Sequence, residues 1–187
     1  MRKNFGVKTW LFPMPVLILG TYDENGRPNA MNAAWGGIWD TNQVMVCLGS
    51  HQTTDNIRKN KALTISFATA DTVAASDYVG LVSQKEDPEK MKKAGLIAER
   101  ASKVNAPIFT NYPLAIECEV VEILNDDNAG GNVVANIVNV SADESILTDG
   151  KIDYKKARFL VFDPVAHKYV EMGEEVAEAF KVGLKLK

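Results

Sequence analysis

The stretch "PVLILGTYDENGRPNAMNAAWGGIW", residues 15–39, decides the fold. Residues 16–21 form strands readily, and the Asn25-Gly26 pair that follows is a strong signal for a tight turn between two strands. The chain then returns through "NAMNAAWGGIW", residues 29–39, as one second strand with two glycines near its end. The stretch therefore predicts a β-hairpin at the start of an antiparallel sheet.

Further strands are expected wherever apolar residues run together or alternate with polar ones. On the C-terminal side of the hairpin these segments are "QVMVCLG" 43–49, "ALTISFA" 62–68, "PLAIECEVVEIL" 113–124, "NVVANIVNVSA" 132–142, "RFLVFDP" 158–164 and "KYVEMG" 168–173. A turn at "TDGK", residues 148–151, precedes the last two.

Four segments are predicted as helices. "TTDNIRKN", residues 53–60, follows the third strand, and residues 71–83 begin with Asp71 and Thr72 as candidate N-caps. Residues 87–95 place Asp87 at the cap, a proline at the first helical position and a glycine at the stop. Residues 174–184, "EEVAEAFKVGL", open acidic and close basic, which favours an amphipathic helix.

The order of these elements predicts the architecture. Strands dominate at hairpin spacing, helices are inserted between them, and no repeat, low-complexity linker or domain boundary interrupts the pattern. A single domain over residues 1–187 is expected, mainly β with flanking helices. Strands of period two with glycine-rich bends are typical of a β-barrel.

Composition limits the classes of function. Apolar residues make up 46% of the 187 residues, enough for a substantial core, and the net charge is −3. No basic field is present to hold nucleic acid or an anionic membrane. No signal peptide or apolar run of spanning length is visible, so a cytoplasmic protein is expected. Cys47 and Cys118 lie in strand-like runs and are expected to be reduced, packed thiols.

The residues that join the third strand to the first helix suggest an anion site. Here "SHQTTDN" places Ser50, His51, Gln52, Thr53, Thr54 and Asn56 together. Thr53 or Thr54 is suited to cap the helix, whose first N–H groups lack partners and whose dipole favours an anion. A phosphate group fits such a site, although a threonine cap also serves a helix that binds nothing. Neither a Walker P-loop nor a GxGxxG turn is present.

A second unusual set lies at the end of the hairpin. Asn32, Ala33, Ala34 and Trp35 combine small residues, which let a flat ring approach the backbone, with one aromatic wall. Trp35 and Trp39 also suit a simpler interpretation as core residues beside glycine bends.

Together these segments resemble the flavin reductase-like family with the FMN-binding split β-barrel fold, which includes flavoredoxins and short-chain flavin reductases. The resemblance rests on "PVLILGTYDENGRPNAMNAAW", "HQTTDNIRKN", "TISF", "SDYVGLVSQKEDPEKMKKAGL" and "RFLVFDPVAHKYVEMG", in that order, from about residue 15 to residue 173.

The resemblance implies a homodimer with FMN near the subunit interface. By this match "NAAW" lines the isoalloxazine ring and "SHQTTDN" holds the ribityl phosphate. The segment "DYVGLVSQKEDPEK" closes over the cofactor, which adds Ser83 and Lys90 as contacts. The late strand departs from the family pattern. Many relatives carry Gly-Glu-Val and a later His at these places, whereas this chain has Asn136 and Ser141. The difference predicts that the side of the pocket that faces the substrate is not that of a typical reductase.

Few side chains of classical catalysis are available. His51 is a candidate cofactor contact, His167 is expected in a turn, and no clustered metal ligands or catalytic residues are predicted. Flavin chemistry requires none of them, because the cofactor carries the reaction and the protein positions it. The leading hypothesis is an FMN-dependent oxidoreductase that takes a hydride from NAD(P)H. Two alternatives stay open: a flavoredoxin-type carrier served by a redox partner protein, and a split barrel that binds another ligand such as haem.

Overall fold

The computed structural model describes residues 1–127 and 129–187. The helices are α1 Gln52–Asn60, α2 Val73–Leu81, α3 Lys90–Lys93 and α4 Tyr154–Ala157. The strands are β1 Met14–Pro15, β2 Leu17–Tyr22, β3 Pro28–Ala33, β4 Gly36–Asp40, β5 Gln43–Gly49, β6 Ala62–Phe67, β7 Ala98–Arg100, β8 Pro107–Phe109, β9 Leu114–Asp127, β10 Gly130–Ala142, β11 Leu147–Thr148, β12 Lys151–Ile152, β13 Leu160–Asp163 and β14 Lys168–Glu171.

Seven strands form one antiparallel sheet in the order β3-β2-β6-β9-β10-β5-β4. The two edge strands, β3 and β4, are consecutive in the chain and are joined only by Ala34 and Trp35. A sheet whose opposite edges are that close in sequence must curl until the edges meet. The result is a barrel with an unpaired seam between β3 and β4, which confirms the predicted split barrel.

The interior of the barrel is apolar. Its core includes Leu17, Leu19, Met31, Val44, Val46, Leu48, Leu63, Ile65, Cys118, Val133 and Ala135. Ile57 of α1 is fully buried in the same cluster, so α1 packs against the barrel interior. Leu17 and Leu19 of β2 face this interior, while Val16, just before β2, and Ile18 are buried on the opposite side in a second cluster outside the barrel. Burial of both faces explains the unbroken run "VLIL".

The second cluster covers the outer face of β2 and β3. Val79 of α2, Met91 of α3 and Phe109 of β8 pack there with Ala30. A small sheet of β1, β13 and β14 adds Leu160, Phe162 and Tyr169. The helices inserted after β6 are therefore held against the hairpin of β2 and β3, beside the seam.

The hairpin prediction is confirmed, with one correction at its end. Asp23 Oδ1 accepts hydrogen bonds from the backbone N–H groups of Asn25 and Arg27, and Gly26 has a φ of 73° at the turn. The segment 29–39, however, is not one strand. It leaves β2 at Ala33 and resumes as β4 beside β5, because the sheet closes there and the pairing partner changes.

One predicted helix start is confirmed and one differs. α2 begins at Val73 with Thr72, one of the two predicted candidates, at its N-cap position. A 3-10 turn at Ala70–Thr72 precedes it, in which the Thr72 hydroxyl accepts from the Thr69 N–H. α3 begins only at Lys90, since the Asp87 carboxylate accepts from the Glu89 N–H in a preceding turn. Gly95, with a φ of 66°, follows the end of α3 as expected.

The predicted C-terminal helix is wrong. Residues 174–184 contain no α-helix, and only a 3-10 turn at Val182–Leu186 forms. Val176 and Phe180 are fully exposed, so the apolar side of the pattern packs against none of the described residues. Isolated helices of this length are marginal in water without such packing.

Cys47 and Cys118 are free thiols, as predicted. Within the described residues, no helix has the length and apolar character needed to cross a membrane.

Candidate functional site

A polar cleft of about 400 Å³ lies beside the seam of the barrel. We use "polar cleft" for the space between β3, the start of α1, the end of α2 with the loop after it, and α3. Its lining residues are Asn29, Met31, Asn32, His51, Gln52, Thr53, Val79, Gly80, Leu81, Val82, Ser83, Gln84, Glu86 and Lys90. Six residues predicted from sequence meet here: Asn32, His51, Gln52, Thr53, Ser83 and Lys90.

Lys90 is the main charged feature of the polar cleft. Its side chain belongs to α3 and is only 3% exposed, and its Nζ donates to the Ala30 carbonyl at 2.7 Å. Within the described residues no carboxylate forms an ion pair with it, although Glu86 lines the same cleft. Burial lowers the pKa of Lys90 from 10.5 to about 8. A buried ammonium group without an acid partner is suited to an anionic ligand.

The start of α1 provides further donors. His51 is the N-cap residue, and its side chain makes no capping hydrogen bond, so the first N–H groups of α1 have no side-chain cap. The prediction that Thr53 or Thr54 caps α1 is wrong, because both lie inside the first turn and their hydroxyls point to other strands. Thr53 Oγ1 accepts from Asn29 Nδ2 at 2.9 Å, and Thr54 Oγ1 donates to the Gly49 carbonyl at 2.7 Å.

Three of the residues predicted from "SHQTTDN", namely Ser50, Thr54 and Asn56, do not line the polar cleft. Thr54 and Asn56 are buried, and Asn56 Nδ2 donates to Thr21 Oγ1 at 3.0 Å, which fastens α1 to β2. Ser50 is exposed before the helix. The structure therefore divides the predicted phosphate segment into residues that face the cleft and residues that hold α1 in place.

Two buried amide oxygens of residues that line the polar cleft have no hydrogen-bond partner in the part of the chain that the structure describes. They are Asn29 Oδ1 and Gln84 Oε1. The nitrogen of each amide is engaged, Asn29 with Thr53 and Gln84 with the Pro28 carbonyl at 3.2 Å. An unpaired buried acceptor costs free energy, and a ligand that carries hydroxyl or N–H donors removes that cost. Sequence reasoning missed both residues. The only signal was the polar side chain of Asn29, which precedes Asn32 in a strand otherwise made of proline, alanine and methionine.

An apolar groove of about 540 Å³ opens on the other side of the seam. We use "apolar groove" for the space between residues 8–15 and strands β4 and β5. Predicted residues Ala34 and Trp35 line it, together with Trp10, Met45 and Cys47. Trp35 is half exposed, whereas Ala33 packs against the barrel core. The polar cleft and the apolar groove are thus lined by residues only two positions apart, Asn32 near the end of β3 and Ala34 in the link to β4.

The remaining singled-out residues lie outside both cavities. His167 occupies the turn between β13 and β14 with a φ of 52°, and its ring stacks on Phe162 with 6.3 Å between centroids. Asn136 accepts a hydrogen bond from Gln43 across β10 and β5, and Ser141 is exposed near the end of β10. Neither departure from the family pattern alters the lining of the two cavities.

Comparison with known sequences identifies the family. The model of the flavin reductase like domain matches residues 9–159, which contain all residues that line the polar cleft and the apolar groove except Lys8. The chain belongs to the flavin reductase-like family. No curated protein matches the flavin reductase-like chain at a significant level.

Two solved structures are similar to this flavin reductase-like protein over nearly the whole chain. Flavoredoxin of Desulfovibrio vulgaris (Miyazaki F) is 34% identical with a TM-score of 0.91, and the match covers 98% of this chain and 100% of that one. Flavoredoxin from Methanosarcina acetivorans is 28% identical with a TM-score of 0.87, covering 100% and 98%. Nitrilotriacetate monooxygenase component B from Bacillus cereus, 15% identical with a TM-score of 0.76 over 90% and 88%, shares the fold.

Membership of the flavin reductase-like family supports FMN as the cofactor, and the polar cleft fits this molecule. Lys90 and the free N–H groups of α1 suit a phosphate, and the unpartnered oxygens of Asn29 and Gln84 suit the hydroxyls of a ribityl chain. The neighbouring apolar groove, with Trp35 as one wall, suits a flat aromatic ring. Lys90 and Trp35 were among the residues predicted from the sequence, whereas Asn29 and Gln84 were not.

Proposed function

We propose that this protein is an FMN-binding oxidoreductase that transfers a hydride or electrons through the bound cofactor, with NAD(P)H as the donor. The observation that carries the proposal is Lys90, a buried lysine without an acid partner, in a cleft that also holds two unpartnered amide oxygens. In this assignment Lys90, Thr53, His51, Gln52 and the first amides of α1 hold the phosphate.

The rest of the site follows from its lining. Asn29, Asn32, Ser83 and Gln84 contact the ribityl chain and the adjoining edge of the ring, and residues 33–35 provide the backbone and the aromatic wall beside the ring. Bound FMN supplies hydride and electron transfer. No residue of the two cavities is assigned as an acid, base or nucleophile, and the chain acts by binding, orienting and excluding water.

A homodimer is part of the proposal. Trp35, Ile38 and Trp39 lie on or beside β4 and are 54%, 76% and 49% exposed. Contiguous exposed apolar residues of this size mark interaction surfaces. A second copy that covers this face would close the apolar groove from outside and shield the ring from water. NAD(P)H would reach the ring through the part of the groove that stays open.

A flavoredoxin-type electron carrier, which receives electrons from a redox partner protein without its own NAD(P)H activity, is the second candidate. The support for it is the similarity to two flavoredoxins over nearly the full length of both chains. Both candidates share the FMN site and differ only in the electron donor.

An anaerobic absorbance measurement separates the two candidates. Purified protein is incubated with FMN and desalted, and its spectrum is recorded before and after addition of NADH or NADPH. Rapid bleaching of the flavin band supports the reductase. A retained flavin that stays oxidised with both nucleotides supports the carrier. Protein that retains no flavin and bleaches none contradicts both.

The two threonines of α1 are expected to respond differently to replacement by valine. Thr53→Val removes the partner of Asn29 inside the polar cleft and is expected to weaken FMN binding about five- to tenfold. Thr54→Val removes the hydrogen bond to Gly49 and is expected to lower the free energy of unfolding by about 1 kcal/mol, with FMN affinity within about twofold of wild type. Fluorescence titration and chemical denaturation measure the two effects. A larger loss of affinity in Thr54→Val than in Thr53→Val would reverse the assignment.

FMN affinity is expected to fall as pH rises above about 8. The pKa of Lys90 is about 8 in the free protein because of burial, and a bound phosphate raises it by favouring the charged form. Binding therefore takes up a proton at higher pH, and the dissociation constant rises by up to about tenfold per pH unit above 8. The second ionisation of a phosphate ester, near pH 6, lies below this window.

The control for this pH profile is Lys90→Met, titrated with FMN at pH 7, 8 and 9. This variant keeps Glu86 and His51, the other charged or titratable side chains of the polar cleft, so any dependence that they cause remains. A flat profile in the variant attributes the slope to Lys90. An equal slope in both proteins contradicts the assignment.

A further inference from the structure

We propose that Tyr169 and Asp77 are positioning residues that hold the side-chain amide of Asn32 with its oxygen facing the polar cleft. Asn32 belongs to β3, Asp77 to α2 and Tyr169 to β14, so three separate elements meet at this amide. The inference deepens the proposed function and rests on it, because the group that the oxygen receives is a donor on FMN.

The backbone fixes the orientation of Asn32 first. Asn32 Nδ2 donates to the carbonyl oxygen of Ser76 in α2 at 3.0 Å. A carbonyl oxygen only accepts, so the nitrogen and not the oxygen of the amide must face the helix. The close contact of α2 with β3 at this point requires Gly80, where an added Cβ would lie 2.9 Å from the Cβ of Asn32.

Tyr169 engages the second proton of the same nitrogen. Its hydroxyl oxygen lies 3.4 Å from Asn32 Nδ2 and accepts from it. The hydroxyl's own proton goes to Asp77 Oδ1 at 2.7 Å, and an ionised carboxylate only accepts. Tyr169 therefore has no proton left to donate to Asn32. Asp77 sets the direction of the whole chain of hydrogen bonds although it does not line the polar cleft.

Burial of Tyr169, with the neighbouring Asp77 carboxylate, raises the pKa of Tyr169 to about 12. The hydroxyl consequently keeps its proton, and the direction of the bonds is the same across the pH range in which the protein would work. With both protons of Nδ2 engaged, Asn32 Oδ1 is an oriented acceptor at the wall of the polar cleft. It matches a hydrogen-bond donor of the cofactor, either a ribityl hydroxyl or the N3–H of the ring.

A thermodynamic cycle tests the positioning role. FMN dissociation constants are measured by fluorescence quenching for wild type, Asn32→Ala, Tyr169→Phe and the double variant. Tyr169→Phe is expected to weaken binding about fivefold in wild type and less than about twofold in Asn32→Ala, because its effect passes through Asn32. A merely structural role gives equal losses in both backgrounds and overturns the inference. Tyr154→Phe is the matched control, because the Tyr154 hydroxyl forms no hydrogen bond within the described residues.

Asp77→Asn tests the direction of the bonds. An amide at position 77 can donate to Tyr169, which frees the tyrosine proton for Asn32 Oδ1 and turns the acceptor away from the cleft. The expected loss of FMN affinity is at least as large as that of Tyr169→Phe. Wild-type affinity in Asp77→Asn would overturn the role of Asp77.

Two further measurements separate this inference from the proposed function. Side-chain amide protons of Asn32, followed by NMR in the protein without FMN, are expected to exchange slowly, and Tyr169→Phe is expected to accelerate one of them. Fast exchange of both in wild type overturns the inference even if FMN binds. If wild type binds no FMN, the proposed function fails together with the part of the inference that concerns the ligand, and amide exchange alone decides the orientation of Asn32.

Lumiflavin, which lacks the ribityl chain, identifies the donor that Asn32 Oδ1 receives. A loss of lumiflavin affinity in Asn32→Ala assigns the N3–H of the ring, and unchanged affinity assigns a ribityl hydroxyl.

Discussion

Lys90→Met is expected to weaken FMN binding by about 10- to 100-fold. A hydrogen bond to a charged group contributes about 1.5–3 kcal/mol, and among the described residues Lys90 is the only lysine or arginine that lines the polar cleft. The variant keeps a side chain of similar length and apolar character. Because the loss concerns the phosphate, riboflavin, which lacks that group, is expected to bind wild type and variant within about twofold. Isothermal titration with both flavins measures the difference.

A neighbouring lysine provides the control for this experiment. Lys92 lies on the same short helix, its side chain is 83% exposed and it pairs with Glu89. Lys92→Met is expected to bind FMN like wild type. The melting temperature of Lys90→Met without FMN is expected to be equal or higher, since the variant no longer buries an ammonium group. Equal FMN affinity in Lys90→Met and wild type would refute the phosphate assignment.

Gly20→Ala is expected to lower the free energy of unfolding by about 3 kcal/mol. A methyl group on Gly20 would lie 2.6 Å from the carbonyl oxygen of Pro107 and closer still to the hydroxyl of Thr64. Thr64 Oγ1 donates a hydrogen bond to the Pro107 carbonyl, so neither group can move away without breaking that hydrogen bond. Forcing extra volume into a packed interior costs about 1–3 kcal/mol and occasionally more. Chemical denaturation at fixed protein concentration measures the effect.

Gly37→Ala is the matched control for Gly20→Ala. Gly37 also lies in a strand of the barrel sheet, but an added Cβ there meets no atom within 4 Å. Its free energy of unfolding is expected to stay within about 0.5 kcal/mol of wild type. Equal unfolding midpoints for the two variants would show that the crowding around Gly20 relaxes without cost.

The hairpin of β2 and β3 could be predicted because its signals are local. Asn25, Gly26 and the alternating strand residues act within a few positions of each other, and the structure places the turn where they indicate. The C-terminal helix could not be judged in the same way. Its amphipathic pattern is genuine, but an isolated helix of this length is marginal in water, and the described residues 1–127 and 129–187 offer Phe180 no surface to pack against.

The candidate site shows the same limit. The family resemblance led to Lys90, but the neighbouring Lys92 and Lys93 are identical in type, and only tertiary packing reveals which ammonium group is buried. Asn29 and Gln84 are single amides without any periodic pattern. Their unpartnered oxygens arise because strands, helix and loop converge on one cavity, which no local stretch of sequence records.

The seam between β3 and β4 gives the fold a place for insertions. Strand registers are set within the pairs β2–β3 and β4–β5. Ala34 and Trp35 are paired in neither register, although the Trp35 carbonyl accepts from the Cys47 N–H of β5. A longer or shorter link would leave every side chain of both pairs on its own face of the sheet. It would change only the spacing between the polar cleft and the apolar groove. The link therefore sets the distance between the two cavities, while the strand pairs set the barrel.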